Sequence, residues 1–181
     1  GKDIVKFHAI YWPAMLLSAK LPLPKSIFVH GHILSDGQKM SKSLGNVVNP
    51  FELVKKYSST SSLQAGTDAV RYFLLREIPS GEDGDFTYEK FEQRYNSDLA
   101  NGIGNFAARV LTLASAEKEL TGELEYNFSD QIEIAKTAVD HKLKEFKLNE
   151  ALEAIWKLIQ SGDQYVNEKK PWDKNLSYKE K

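Results

Sequence analysis

Lys39-Met40-Ser41-Lys42-Ser43-Leu44-Gly45-Asn46 is the stretch around which the rest of the chain is read. Two lysines stand three apart among small hydroxyl residues, and a glycine follows. Upstream, the apolar run Ile27-Phe28-Val29 reads as a buried strand over residues 26–30. Ser35-Asp36-Gly37-Gln38 reads as a turn. Downstream, Asn49 reads as a helix cap with Pro50 at the first helical position. A doubly cationic loop between a core strand and a helix is suited to grip a polyphosphate. The plain alternative is a solvated surface loop that carries lysines, the usual meaning of a charge cluster. The neighbouring stretches decide between the two.

The chain has 181 residues, 41% of them hydrophobic and 27% charged, enough for one substantial core or two smaller ones. Its formal net charge is -1, so nucleic-acid binding would rest on local patches and specific contacts, not on a global field. With 0 cysteines, neither a disulfide framework nor a Cys-based zinc site can form within these residues, and no metal site is expected here. The start, Gly1-Lys2-Asp3-Ile4, lacks signal-peptide character. No apolar run approaches the roughly 20 residues that span a bilayer. These features fit a cytoplasmic location and no membrane partner. One credible strand beside apolar helices cannot make an α/β domain alone, so the chain reads as the C-terminal piece of something longer.

Residues 3–19 read as a helix capped by Asp3 and bent or broken by Pro13. Residues 67–76 form a strongly apolar helix, and Ser58-Ser59-Thr60-Ser61-Ser62 before it reads as a loop. Pro79-Ser80-Gly81-Glu82-Asp83-Gly84-Asp85 is the best domain boundary, dividing residues 1–80 from 81–181. Thr87 caps a helix reaching to about Leu120, in which Gly102 and Gly104 predict a kink or a close helix contact. Ser129 and Asn149 are read as caps of two further helices. Pro171-Trp172 stops the last one, and a lysine-rich tail follows. Long helices with short connectors predict an antiparallel bundle. The fold class is therefore mainly α: a remnant of an α/β domain followed by an α-helical bundle.

Several stretches, in order, resemble methionyl-tRNA synthetase, a class I aminoacyl-tRNA synthetase. They are Gly1-Lys2-Asp3-Ile4, Phe7-His8, Tyr11-Trp12-Pro13, His30-Gly31, Lys39-Met40-Ser41-Lys42-Ser43, Asp68-Ala69-x-Arg71-Tyr72 and Arg94-Tyr95-Asn96-x-Asp98-Leu99. Asn105-x-x-x-Arg109 and Pro171-Trp172 complete the set. The lysine loop alone resembles any class I synthetase. The stretch from Gly1 to Trp12 and the trio Asn105, Arg109 and Trp172 narrow the resemblance to the methionine enzyme.

The resemblance implies a Rossmann-type catalytic domain ending at the lysine loop, then an anticodon-binding bundle. It implies activation of methionine with ATP, accompanied by Mg2+, and transfer to tRNA(Met). Lys39 and Lys42 would serve catalysis, with Lys42 the larger contributor. Gly1, Asp3, His30, Gly31 and the two lysines would bind ATP, with Asp3 accepting ribose hydroxyl hydrogen bonds. Read without the resemblance, Asp3 is only a helix cap. His8 and Trp12, four apart on one helix face, would line the methionine pocket, where a thioether packs well on aromatic rings. The plain reading is a core tryptophan beside a satisfied histidine. Asn105, Arg109 and Trp172 would read the CAU anticodon, since single-stranded bases are read by stacking and edge hydrogen bonds. The plain reading is a surface pair and a tryptophan covering the bundle end. Arg71, Arg94 and Asp98 are read as ties at the domain junction, and His141 has no evident partner. Zinc is expected only in an N-terminal half, and a homodimer only through a C-terminal extension. The chain by itself is expected to be inactive. The alternative function is a stand-alone RNA-binding helical module without ligase activity.

Overall fold

The computed structural model describes residues 1–58, 63–116 and 128–172. It is mostly helical with one small mixed sheet. The N-terminal helix is continuous in path but not in winding. A tight turn, Lys2–Ile4, leads into a π-helical turn, Phe7–Tyr11, and then α1, Trp12–Ser18. Pro13 lacks an N–H and clashes with a regular helix one turn back. The wide turn before it, closed by the Trp12 N–H on the Phe7 carbonyl, is where the ladder yields. The start is capped by Gly1, and Asp3 lies inside the first turn making no cap hydrogen bond, which corrects the expected Asp3 cap.

The expected strand over 26–30 does not form. That segment has no ladder partner among the described residues, and Ile27 and Phe28 are exposed. The strand lies further on: β1, Ile33–Ser35, pairs antiparallel with β2, Gln38–Lys39. Asp36 (φ 52) and Gly37 (φ 72) make the expected turn. Positive φ at both central positions is the twist-matched hairpin geometry, and glycine supplies it without strain. Sequence reading missed β3, Gly84–Phe86, which pairs parallel with β1 on its other side, giving the order β2-β1-β3.

Helix α2, Pro50–Tyr57, starts as expected, with the Asn49 side-chain oxygen Oδ1 accepting from the Phe51 N–H at 3.0 Å. Asn49→Ala should cost about 1 kcal/mol, the usual worth of such a cap, read as a lower urea midpoint at unchanged slope. Helix α3, Leu63–Glu77, begins four residues before the expected 67, and most of the Ser/Thr-rich loop lies outside the described residues. Thr87 caps α4, Tyr88–Arg94, as expected, accepting from the Lys90 N–H at 3.1 Å. A π-helical stretch, Tyr95–Gly104, carries the path into α5, Asn105–Ala116. The helices α6, Ser129–Lys144, and α7, Leu148–Lys169, form a hairpin. Their caps fall on Phe128 and Lys147, not on Ser129 and Asn149, which lie within the first turn of each helix. Lys170 (φ 47) ends α7 before Pro171, as the sequence predicts. The tail beyond 172 lies outside the described residues.

The core joins Leu53, Ala69, Val70 and Phe73 to Phe86 and Phe91, so it takes residues from both sides of position 80. Met40 and Val48 pack partly against it. Both ends of the lysine loop are therefore pinned by burial, while its tip is exposed.

Candidate functional site

The loop after β2 is folded on itself. The Asn46 side chain accepts from the Ser41 N–H at 2.8 Å and donates to the Lys39 carbonyl at 3.3 Å. Ser41 and Ser43 hydroxyls meet at 2.7 Å, and a turn closes from the Leu44 N–H to the Ser41 carbonyl. The two lysines differ. Lys39 Nζ sits 2.9 Å from Asp3 Oδ2, whereas Lys42 is exposed and has no partner among the described residues. A compact ammonium on a flexible stem, free at a loop tip, can close on an anion without first breaking a bond.

Asp3 is the meeting point of three elements. Besides Lys39 it faces His32 Nε2 at 3.1 Å. The Lys39 and then the His32 interaction hold its carboxyl below the ordinary carboxylate range. Next to it, Lys2 Nζ reaches Asp83 Oδ2 at 2.7 Å, and Asp83 Oδ1 accepts from the His32 N–H at 2.8 Å. Asp83 is likewise held low, by Lys2 first and the His32 N–H second. Gly31 lets this crossing form: a Cβ there would lie 1.9 Å from the Glu82 carbonyl oxygen. The His30 ring turns back on the Gly31 carbonyl at 2.9 Å and lies beside Gly1. Gly1, Asp3, His30, Gly31 and Lys39 are thus brought together at one end of the sheet, where β1 and β3 start and β2 finishes. Sequence reading missed His32 and Asp83; the alternation His30-Gly31-His32 and the carboxylate in the turn before β3 were their only signals.

His8 and Trp12 lie on the N-terminal helix. The His8 Nδ1 lies 3.1 Å from the Ile4 carbonyl, and Trp12 is 43% exposed. The pair sits on an apolar helix whose Phe7, Ile10 and Met15 are also exposed.

The helices hold a second cluster. Gly102 and Gly162 let α7 approach, since a Cβ at either would lie 2.9 Å from the Trp156 or Phe106 ring. Between them runs a groove of about 290 Å³ lined by Asn101, Asn105, Arg109, Gln160 and Asp163. Arg109 is paired with Asp163 and donates to Asn167 Oδ1 at 2.9 Å. Its guanidinium carbon lies 6.0 Å from the centre of the Trp172 ring, which is 48% exposed. Asn105, Arg109 and Trp172 therefore share one region, with a half-free aromatic face beside a cation. Asp163 and Asn167, which orient Arg109, were not singled out in the sequence, although their four-residue spacing puts them on one face.

The junction ties are partly as expected. Arg94 and Asp98 approach at 3.6 Å, and Tyr72 donates to Asp98 at 2.6 Å. Arg71 is exposed with no partner among the described residues, and Arg76 takes its place, because 76 follows Tyr72 by one helical turn. His141 does have a neighbour, Glu145 at 3.7 Å. Among the described residues no helix is long and apolar enough to cross a membrane, and no group of three or more His, Cys, Asp or Glu side chains could hold a metal.

Comparison with known proteins places this arrangement. Methionine--tRNA ligase of Clostridium acetobutylicum is 45% identical over 95% of this chain, and that of Brucella suis is 41% identical over 95%. The chain spans 27% and 33% of their respective lengths. Its fold matches Mycobacterium tuberculosis methionyl-tRNA synthetase bound by methionyl-adenylate, with a TM-score of 0.82 and 39% identity, covering 98% of this chain and 35% of that one. A family profile described as tRNA synthetases class I (M) matches residues 1–111. With that match over more than half its length, the chain belongs to the class I (M) tRNA synthetase family.

Proposed function

We propose that this chain works as the C-terminal part of a methionine–tRNA ligase. Residues 1–80 are the end of a Rossmann-type catalytic domain, and residues 81–181 are an antiparallel anticodon-binding bundle. The reaction joins the methionine carboxylate to the α-phosphorus of ATP, releases pyrophosphate, and passes the methionyl group to tRNA(Met). Lys42 and Lys39 stabilise the charge that spreads over the triphosphate, an electrostatic and positioning role. Gly1, Asp3, His30 and Gly31 form the ATP side, with Asp3 accepting from ribose hydroxyls. His8 and Trp12 contribute to the methionine pocket. Asn105, Arg109 and Trp172 read CAU by stacking and edge hydrogen bonds. Mg2+ enters with ATP as part of that substrate. Zinc belongs to the N-terminal half, dimer contacts to a C-terminal extension, and the location is cytoplasmic.

One observation carries the reading. A single chain holds one loop with a lysine on an oriented carboxylate, Lys39 on Asp3, and a second lysine, Lys42, exposed near its tip, together with an arginine, Arg109, against the half-exposed Trp172 ring. The test joins this chain to the N-terminal part of a full-length relative and measures methionine-dependent ATP–pyrophosphate exchange and tRNA(Met) methionylation. The joined protein should show both, and the chain alone neither. Specific RNA binding without exchange would replace this reading with that of a stand-alone RNA-binding module. Within the joined protein, Trp172→Ala should weaken tRNA(Met) binding about tenfold, in line with roughly 1–3 kcal/mol for base stacking, and leave exchange unchanged. Unaltered tRNA affinity would remove the anticodon role.

A further inference from the structure

The Asp3 carboxylate hangs from a short, exposed N-terminal turn, where nothing in its own helix fixes it. Two clasps from the 30–39 and 82–84 segments hold that turn. One is Lys2 on Asp83; the other is His32 on Asp3. The His32 backbone is locked at both ends, its N–H donating to Asp83 Oδ1 at 2.8 Å and its carbonyl accepting from the Gly84 N–H at 2.9 Å. Its ring sits where Gly1 has no side chain, 3.9 Å from the position a Cβ would take. Its Nε2 is shielded from solvent, has no well-aligned hydrogen bond among the described residues, and faces Asp3 Oδ2. Lys39, by contrast, is an exposed and flexible partner of the same oxygen.

We propose that His32 is a positioning residue for nucleotide capture. It aims the Asp3 carboxylate at the hydroxyl pair of a nucleotide ribose, and it keeps that aim when Lys39 leaves Asp3 for the phosphates. Lys39 and the ribose then compete for one carboxylate, so ribose binding and release of the lysine loop are a single event. This rests on the ligase reading above, with Asp3 as the ribose acceptor.

The test uses the full-length protein that carries this chain and measures ATP–pyrophosphate exchange. His32→Phe keeps a ring but removes the nitrogen. It should raise KM for ATP about tenfold, the scale of losing one polar contact to a carboxylate, with kcat and KM for methionine little changed. His32→Gln, which returns a nitrogen donor at similar reach, should recover most of that loss. His32→Asn, too short to reach, should behave like the phenylalanine variant and serves if that variant fails to fold. The pH profile is a second readout. Asp3 is faced by Lys39 and His32, with Lys2, Asp83 and His30 adjacent. Removing His32 removes one of the two interactions that hold its carboxyl low, so the acid limb of kcat/KM should move to higher pH. A role in packing alone would leave that limb in place. The inference is overturned if His32→Phe and His32→Asn keep the parental KM for ATP, or if His32→Gln is as impaired as they are. Loss of exchange in Lys42→Ala, measured alongside, confirms the ligase reading independently. If Lys42→Ala is unaffected, that reading fails whatever the His32 variants show.

Discussion

Lys42→Ala, in the joined protein of the proposed ligase reading, is expected to lower methionine-dependent exchange by about 100- to 1,000-fold, the range seen when one preorganised charge-stabilising donor is removed. The melting temperature should not move. The Lys42 side chain makes no hydrogen bond or ion pair among the described residues, and surface changes away from specific contacts are close to neutral in stability. Most of the loss should be in kcat, because the charge it meets is greatest in the transition state. Parental kcat in this variant would end its catalytic role. Lys39→Ala should cost less. That ammonium is shared with Asp3, and its removal also frees the carboxylate for ribose. The asymmetry between two lysines three residues apart follows from which of them the fold has already engaged.

The contrast shows what sequence could and could not give. The loop, its turn and its helix start were legible because each depends on local chemistry. Asp36-Gly37 needs positive φ, Asn49 caps the N–H two residues on, and Pro171 cannot continue a helix. Gly102 as a close-contact site was legible for the same reason: only hydrogen fits against Trp156. The strand over 26–30 failed because an apolar run reports burial, whereas a strand requires a neighbouring edge to pair with. β3 was missed because Gly84-Asp85-Phe86 has no strand composition and is held by β1. Asp3 looked like a cap since Asp commonly is one, and its partners Lys39 and His32 are distant in sequence. The family resemblance gave the residues of the groove but not the pairing of Arg109 with Asp163, which depends on how α7 lies.

The second large effect lies at the junction. Asp98 Oδ2 accepts from the Tyr72 hydroxyl at 2.6 Å and lies 3.7 Å from Arg76 Nε and 3.6 Å from Arg94 Nη1. Tyr72 accepts in turn from the Trp156 Nε1–H at 2.5 Å. Arg76 also reaches Glu153 at 3.2 Å, and Arg94 reaches Glu77 at 2.7 Å. One carboxylate, with 15% of its side chain exposed, thus links α3, α4, the π-helical stretch and α7. Asp98→Ala would leave a phenol and two guanidinium groups short of an acceptor in a partly dry site. The expected cost is roughly 2–4 kcal/mol, below the figure for a fully buried pair because both arginines keep a second carboxylate. Urea unfolding should show it as a lower midpoint at unchanged slope. Tyr72→Phe should cost about 1–2 kcal/mol, and the two changes should be non-additive, since they share one hydrogen bond. Burial first, and the Asp98 bond second, push the Tyr72 phenol well above its ordinary range. The unfolded chain therefore loses this proton first as pH rises past about 10, so stability is complete below that pH and declines above it. Tyr72→Phe should flatten that alkaline decline. An Asp98→Ala protein that unfolds at the parental midpoint would show that packing of α3 on α7, and not this polar link, holds the lysine-loop core to α7 and the Trp172 that follows it.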